Sequence, residues 1–239
     1  MSMIRVTYAV FGLSLAALAG WFGLVEYQGF LQRSKPPAEF FTQTDPAQLH
    51  FAPTRAIKSN QQQLLFCLNQ QKSYGNLLAP EAFQQGFARA CLSRAEQILA
   101  SSPSRGLAHL ERADALRRLG RGADAMAALA EAQSTAAREN WMALARARIA
   151  LRIAAGDTPG GFPGNPETVD PTLRDRALDL AGIEIAQLSS SALYADRLAA
   201  LYRSKPLFSD WFIAIVEQQS EQAQRQFLSA VRRNTGSGS

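Results

Sequence analysis

Histidine and cysteine are scarce in this chain of 239 residues, which contains two of each. Neither His50 nor His109 has a second metal-ligating residue at a useful spacing, so the zinc-protease motif is absent. The Gly-x-Ser-x-Gly elbow of serine hydrolases is also missing, as are zinc-finger spacings and aromatic–basic RNA motifs. We therefore expect no catalytic residue, no metal, no cofactor and no nucleic-acid partner.

β-branched residues are sparse as well, and no stretch after residue 56 alternates apolar and polar residues with a period of two. This pattern argues against β-strands. Helix formers such as alanine, leucine, arginine, glutamine and glutamate dominate instead. Because 47% of the residues are hydrophobic, the chain can bury a sizeable core, and we predict an all-α fold.

One long uncharged run lies near the N-terminus, over the 20 residues Val6–Val25. That length matches a helix crossing a hydrocarbon core of about 30 Å. The alternative is a cleaved secretory signal with Ala17–Ala19 as the cleavage motif. Since the apolar run continues beyond Ala19, where a cleavable signal should turn polar, we predict a retained transmembrane anchor over residues 1–30.

The charges that flank this segment do not settle its orientation, because Arg5 lies on one side and Arg33 and Lys35 on the other. The signal-like layout and the cysteines favour a cytoplasmic N-terminus. We therefore expect a single-pass protein of a bacterial inner membrane, in contact with the lipid bilayer, with most of its chain in the periplasm.

Small residues recur at Gly12, Ala16 and Gly20. A spacing of four places them on one helical face, where the backbone of another transmembrane helix can approach closely. The alternative is that glycine and alanine are simply common in such helices. If the face is an interface, it predicts an integral membrane protein or a second copy of the chain as partner.

Proline and glycine mark the predicted boundaries in the rest of the chain. Residues 31–56 contain four prolines and no sustained periodicity, which indicates a linker. The segment from Gly156 to Pro166 holds four glycines and three prolines in eleven residues and cannot be helical. We predict, after the anchor, a linker over 31–56, helical hairpins over 57–156, a Gly/Pro-rich loop over 157–170, a C-terminal helical block over 171–233 and a flexible tail over 234–239.

Comparison of the hairpin region with itself shows a repeat of 34 residues. Its best unit carries Pro103, Ala113, Gly120, Ala125, Leu129 and Ala132. This pattern resembles the tetratricopeptide repeat, over about residues 70–156. Arg112 stands at a usual leucine position and Pro80 interrupts the preceding unit, so the resemblance implies stacked αα-hairpins rather than a regular solenoid.

The resemblance also implies a concave groove lined by the first helix of each unit. The matched positions include Arg117, Arg118, Arg148 and Arg152, whose guanidinium groups could bind carboxylates or phosphates. Residues 89–152 contain eleven arginines against six acidic residues, so the positive charge is concentrated here. The alternative is an ordinary solvated helix face.

Cys67 and Cys91 lie on two successive predicted helices joined by a short turn. They could face each other across an antiparallel hairpin, which predicts a disulfide in an oxidising compartment. The alternative is two buried free thiols.

From this organisation we expect a periplasmic adaptor or scaffold that binds protein partners in an envelope assembly, such as polysaccharide export, pilus or secretion, or cell-wall machinery. A second hypothesis is a non-catalytic binder of an acidic glycan or another anionic ligand through the arginine-rich helices. A third, an enzyme of unrecognised type, would need a polar pocket with strongly perturbed carboxylates.

Overall fold

The computed structural model describes residues 2–33, 51, 56–70, 79–157 and 164–235. Over these residues it contains ten α-helices and no β-strand, which confirms the all-α prediction. Most of the predicted linker, the centre of the predicted loop and the end of the predicted tail lie outside the described residues. The helices are α1 (Ser2–Arg33), α2 (Ile57–Gln70), α3 (Glu81–Ser101), α4 (Gly106–Arg118), α5 (Gly122–Thr135), α6 (Asn140–Ala154), α7 (Pro171–Ser189), α8 (Ala195–Ser204), α9 (Ser209–Glu217) and α10 (Glu221–Thr235).

The predicted transmembrane anchor is not supported by the structure. Within the described part of the chain, no helix combines the length and the apolar character that crossing a membrane requires. The anchor predicted for residues 1–30 is therefore corrected here to an α-helix.

Glycine ends α4 and α6, as the sequence predicts. Gly120 and Gly156 have positive φ angles of 74° and 67°, a conformation that costs glycine little and other residues more. After each glycine, a backbone N–H bonds back into the last helical turn, from Arg121 to the carbonyl of Leu116 and from Asp157 to that of Arg152. These turns let the chain reverse within a few residues.

Alanine lets the helices of the central hairpins pack closely. α4 packs on α5 and α6 packs on α7, and α3 packs against α4. Ala113, Ala125 and Ala132, the small residues of the predicted repeat, are all fully buried. At Gly106 an added Cβ would lie 2.7 Å from the Cβ of Ala136, so the backbones there approach too closely for a side chain.

A buried ion pair joins α6 to α7. Arg146 of α6 and Glu184 of α7 are both 0% exposed, and their bidentate contacts measure 2.6 Å from Nε to Oε1 and 2.9 Å from Nη2 to Oε2. The remaining nitrogen of Arg146 donates to the carbonyls of Ala132 and Ala136 at the end of α5. Arg146 therefore connects three helices and adds a side-chain donor to two carbonyls at the end of α5, which also accept the backbone N–H groups of Ala136 and Glu139.

The end of the C-terminal block consists of two short helices where the sequence predicts one long helix. A single helix is predicted from Ser209 to about residue 233, whereas the structure has α9 and α10 with a break at Gln218–Ser220. The side chain and carbonyl of Ser220 accept from the first turn of α10. The break folds α10 back so that Phe227 stacks on Phe212 at 5.7 Å, with Tyr202 against both rings.

Candidate functional site: an arginine-lined groove

A groove of about 250 Å³ opens between α2, α6 and α8. Helix α2 supplies one wall, α6 supplies the floor, and α8 contributes a single arginine at the rim. The lining residues are Leu65, Leu68, Asn69, Trp141, Leu144, Ala145, Arg148, Ile149, Arg152 and Arg197. Five of these ten residues are aliphatic, and three are arginines.

The residues that α6 contributes follow helical spacing and so form one continuous face. Trp141 stands at one end of this face, Leu144 and Ala145 lie in the middle, and Arg148 and Arg152 follow one turn apart. From Trp141 to Arg152 the helix rises about 16 Å. The groove is therefore apolar at the Trp141 end and cationic at the Arg152 end.

The guanidinium groups at the cationic end destabilise one another's charge. Burial lowers the pKa of Arg148, and the charges of Arg152 and Arg197 lower it further. Burial also lowers the pKa of Arg152, as does Arg117, while two carboxylates act in the opposite direction. No carboxylate of the described residues lies within ion-pair distance of Arg148, Arg152 or Arg197. A bound anion would relieve this repulsion.

The other two arginines predicted for the groove, Arg117 and Arg118, are buried behind it on α4. Both face Asp114, which is fully buried, with Arg117 Nη2 at 3.3 Å and Arg118 Nε at 2.9 Å from its carboxylate oxygens. Burial lowers the pKa of Arg118, and Asp114 counteracts that effect. The structure thus brings Arg148 and Arg152 to the groove and holds Arg117 and Arg118 in an internal ion-pair cluster.

Arg197 belongs to the groove but was not among the predicted residues. It lies on α8, beyond the Gly/Pro-rich loop, and has no counterpart in the 34-residue repeat. Its guanidinium stacks over the ring of Tyr194 at 5.4 Å. A salt bridge of 2.6 Å between Lys205 and Asp157 ties the end of α8 to the end of α6 and so positions this arginine. No local sequence pattern signals that pairing.

The predicted disulfide is confirmed, because Cys67 and Cys91 are bonded, with their Cα atoms 6.0 Å apart. The bond joins α2 to α3. Beside it, the buried guanidinium of Arg94 donates to Gln63 at 2.6 Å and also to Asn60. These contacts fix α2, whose residues Leu65, Leu68 and Asn69 form the groove wall.

A buried carboxylate lies next to the disulfide. An oxygen of Glu111 and the two cysteine sulfurs all lie within 4.8 Å of one another. Thiolates bind metals, and these sulfurs are bonded to each other, so the cluster is not a metal site in this state. Burial and the neighbouring Asp114 raise the pKa of Glu111 well above 4.5, while Arg118 lowers it. Its Oε2 has no hydrogen-bond partner among the described residues.

Glu111→Gln should stabilise the protein at neutral pH. The folded state raises the pKa of Glu111, so its contribution to stability is complete below about pH 4.5 and is lost as pH rises towards the folded-state pKa. The glutamine variant carries no charge to lose. Its advantage in free energy of unfolding should therefore grow between pH 4.5 and pH 8, measured by urea unfolding at constant ionic strength.

The matched control for this prediction is Glu96→Gln, at an exposed glutamate on α3. Its pH profile should follow that of the unaltered protein. A Glu111→Gln protein that is no more stable than the unaltered one at pH 8 would contradict the prediction.

Gly12, Ala16 and Gly20 lie on the exposed surface of α1. An added Cβ at Gly12 or Gly20 would meet nothing within 4 Å, so nothing in the described structure packs on this stripe. The integral membrane partner or second copy predicted for this stripe depended on the transmembrane anchor, and nothing in the described structure tests it.

The fold and the groove together define an all-α protein of packed helices with a cation-lined cleft between α2, α6 and α8. No protein-family model, curated protein or solved structure matches the chain. The likeness to tetratricopeptide repeats therefore stays a prediction from the sequence.

Proposed function

We propose that this chain is a non-catalytic binding module that recognises an anionic group of its partner in the groove between α2, α6 and α8. The observation that carries the proposal is the set of three arginines, Arg148, Arg152 and Arg197, which line one groove with no carboxylate of the described residues within ion-pair distance of them. Unpaired guanidinium groups in a partly desolvated cleft bind carboxylates and phosphates strongly.

The wider role we propose is that of an adaptor on the extracytoplasmic side of a bacterial envelope. The disulfide supports an oxidising compartment, because such bonds are rare in the cytosol. A stack of helices with one groove can hold one component there and leave its remaining surface for another.

A thermal-shift experiment tests the anion site directly. Millimolar citrate or phosphate should raise the Tm of the protein above its value in sodium chloride of equal ionic strength. The rise should be about 2–4 °C for each kcal/mol of binding free energy. Arg148→Gln combined with Arg152→Gln should abolish this rise. The variant should fold normally, since it removes mutually repelling charges.

The control variant is Arg138→Gln with Arg203→Gln, which removes the same charge from two exposed positions outside the groove. It should retain the full anion-dependent rise. Equal rises in the groove variant and in the control would refute the proposed site, because they would mean that the anions act on the protein surface in general.

A further inference from the structure

The charged and the apolar side chains that line the groove lie at different positions along its length. Three arginines gather at one end, and the uncharged polar side chains of the lining amount to Asn69 alone. All the other walls are apolar, formed by Leu65, Leu68, Trp141, Leu144, Ala145 and Ile149. The site therefore offers charge at its head and aliphatic surface along its length.

This division disfavours strongly hydrophilic ligands. An acidic glycan carries hydroxyl groups, and an extended peptide carries backbone amides, and each such group that leaves water needs a hydrogen-bond partner. Beyond the arginines, the described lining residues provide only one such partner, the side-chain amide of Asn69. A small inorganic anion would satisfy the arginines but leave the half-buried apolar walls of Leu65 and Leu68 in water.

We propose that the groove binds an anionic amphiphile, meaning a single alkyl or acyl chain with a carboxylate or phosphate head. The inference rests on the anion-binding function proposed above and names the ligand class for that same site. The head accepts hydrogen bonds from Arg148, Arg152 and Arg197, and the chain lies along Leu144 and Ala145 towards Trp141. From Arg148 to Trp141 the floor extends about 10 Å, enough for a chain of medium length.

The indole of Trp141 suits the far end of such a chain. Its side chain is 38% exposed, and its Nε1 donates to a carboxylate oxygen of Glu139 at 3.0 Å. The polar edge of the ring is thereby engaged outside the groove, and the ring remains available as an apolar contact. The groove thus has no unsatisfied donor where the chain would end.

Calorimetric titration with chain-length series tests the proposal. The ligands are acetate, butanoate, octanoate and decanoate, each below its micelle concentration, with decyl phosphate, decanol and a short acidic peptide for comparison. Affinity for the carboxylates should rise with length, by up to about fourfold for each methylene that is fully buried. Decanol should bind at least tenfold more weakly than decanoate, because it lacks the charge that the arginines recognise.

Two variants test separately how the head group and the alkyl chain of the ligand contribute to binding. Arg148→Gln with Arg152→Gln should weaken decanoate binding roughly tenfold or more. Ala145→Gln, at a half-buried position of the floor, should flatten the dependence on chain length while leaving the binding of acetate unchanged. Arg138→Gln with Arg203→Gln should bind like the unaltered protein, which shows that the loss in the groove variant does not come from reduced net charge alone.

The outcomes distinguish this inference from the function on which it rests. If acetate or phosphate binds as tightly as decanoate, the amphiphile hypothesis is wrong but the anion site remains supported. The same conclusion follows if the acidic peptide binds more tightly than decanoate. Decanol matching decanoate, or decanoate binding unaffected by the arginine substitutions, would overturn the inference as non-specific adsorption. Absence of binding by every anion would overturn both.

Discussion

Replacing Glu184 with glutamine should lower the free energy of unfolding by about 3–5 kcal/mol, the usual cost of leaving one member of a buried ion pair without its partner. Arg146 and Glu184 are both 0% exposed, so water cannot replace the lost charge. The glutamine preserves the shape of the side chain, and the loss therefore reports on charge rather than on a cavity. Urea unfolding followed by circular dichroism measures it.

The matched control is Glu221→Gln, at an exposed ion pair with Arg225 on α10. It should leave the unfolding curve essentially unchanged, since surface pairs contribute little. If Glu184→Gln and Glu221→Gln shift the curve equally, the buried pair does not hold α6 to α7.

The double replacement Arg146→Met with Glu184→Leu should recover part of the loss, because an apolar pair of similar volume leaves no buried charge. It should not recover all of it, because the carbonyls of Ala132 and Ala136 lose the side-chain donor that Arg146 supplies.

Reduction of the Cys67–Cys91 bond should lower the free energy of unfolding by about 3.5 kcal/mol, the chain-entropy value for a loop of 24 residues. The reason is that the unfolded chain regains freedom that the bond removes. Unfolding curves with and without dithiothreitol measure the change, and a mass increase of about two hydrogens shows that reduction has occurred.

The same reduction should weaken ligand binding in the groove. The disulfide fixes α2 against α3, and α2 forms the wall that contains Leu65 and Leu68. A protein with both Cys67→Ala and Cys91→Ala should be insensitive to dithiothreitol, which serves as the control for other effects of the reagent. Full reduction of the unaltered protein without any shift of its unfolding midpoint would contradict the predicted loss of stability.

Short-range features of the fold could be predicted from the sequence. The helical class, the glycine stops at Gly120 and Gly156 and the start of α7 at Asp170-Pro171 depend on contacts within a few residues. Asp170 indeed accepts from the backbone of Leu173 and caps that helix. The cysteine pair could also be predicted, because two consecutive helices joined by a short connection must lie side by side.

The errors have a different origin. The uncharged run Val6–Val25 has the length and composition of a membrane segment, and these two features led to the predicted anchor, which the structure does not support. The single helix predicted from Ser209 was divided because stacking Phe227 on Phe212 requires the chain to fold back, although Gln218–Ser220 contains neither glycine nor proline. The break between α9 and α10 is therefore set by side-chain packing between helices and not by a local preference of the backbone.

By itself the sequence determined which segments are helical, where several of them end, and that Arg148 and Arg152 share a face, because helical geometry repeats every 3.6 residues. Only the tertiary structure decided what each arginine does. Arg146 and Arg148 are two residues apart on α6, yet one is sealed against Glu184 and the other lines the groove. Arg197 also lines the groove, together with Arg148 and Arg152, although it lies on a helix more than forty residues further along the chain. The environment of a charged side chain depends on which other helices pack around it, and long-range packing sets that environment.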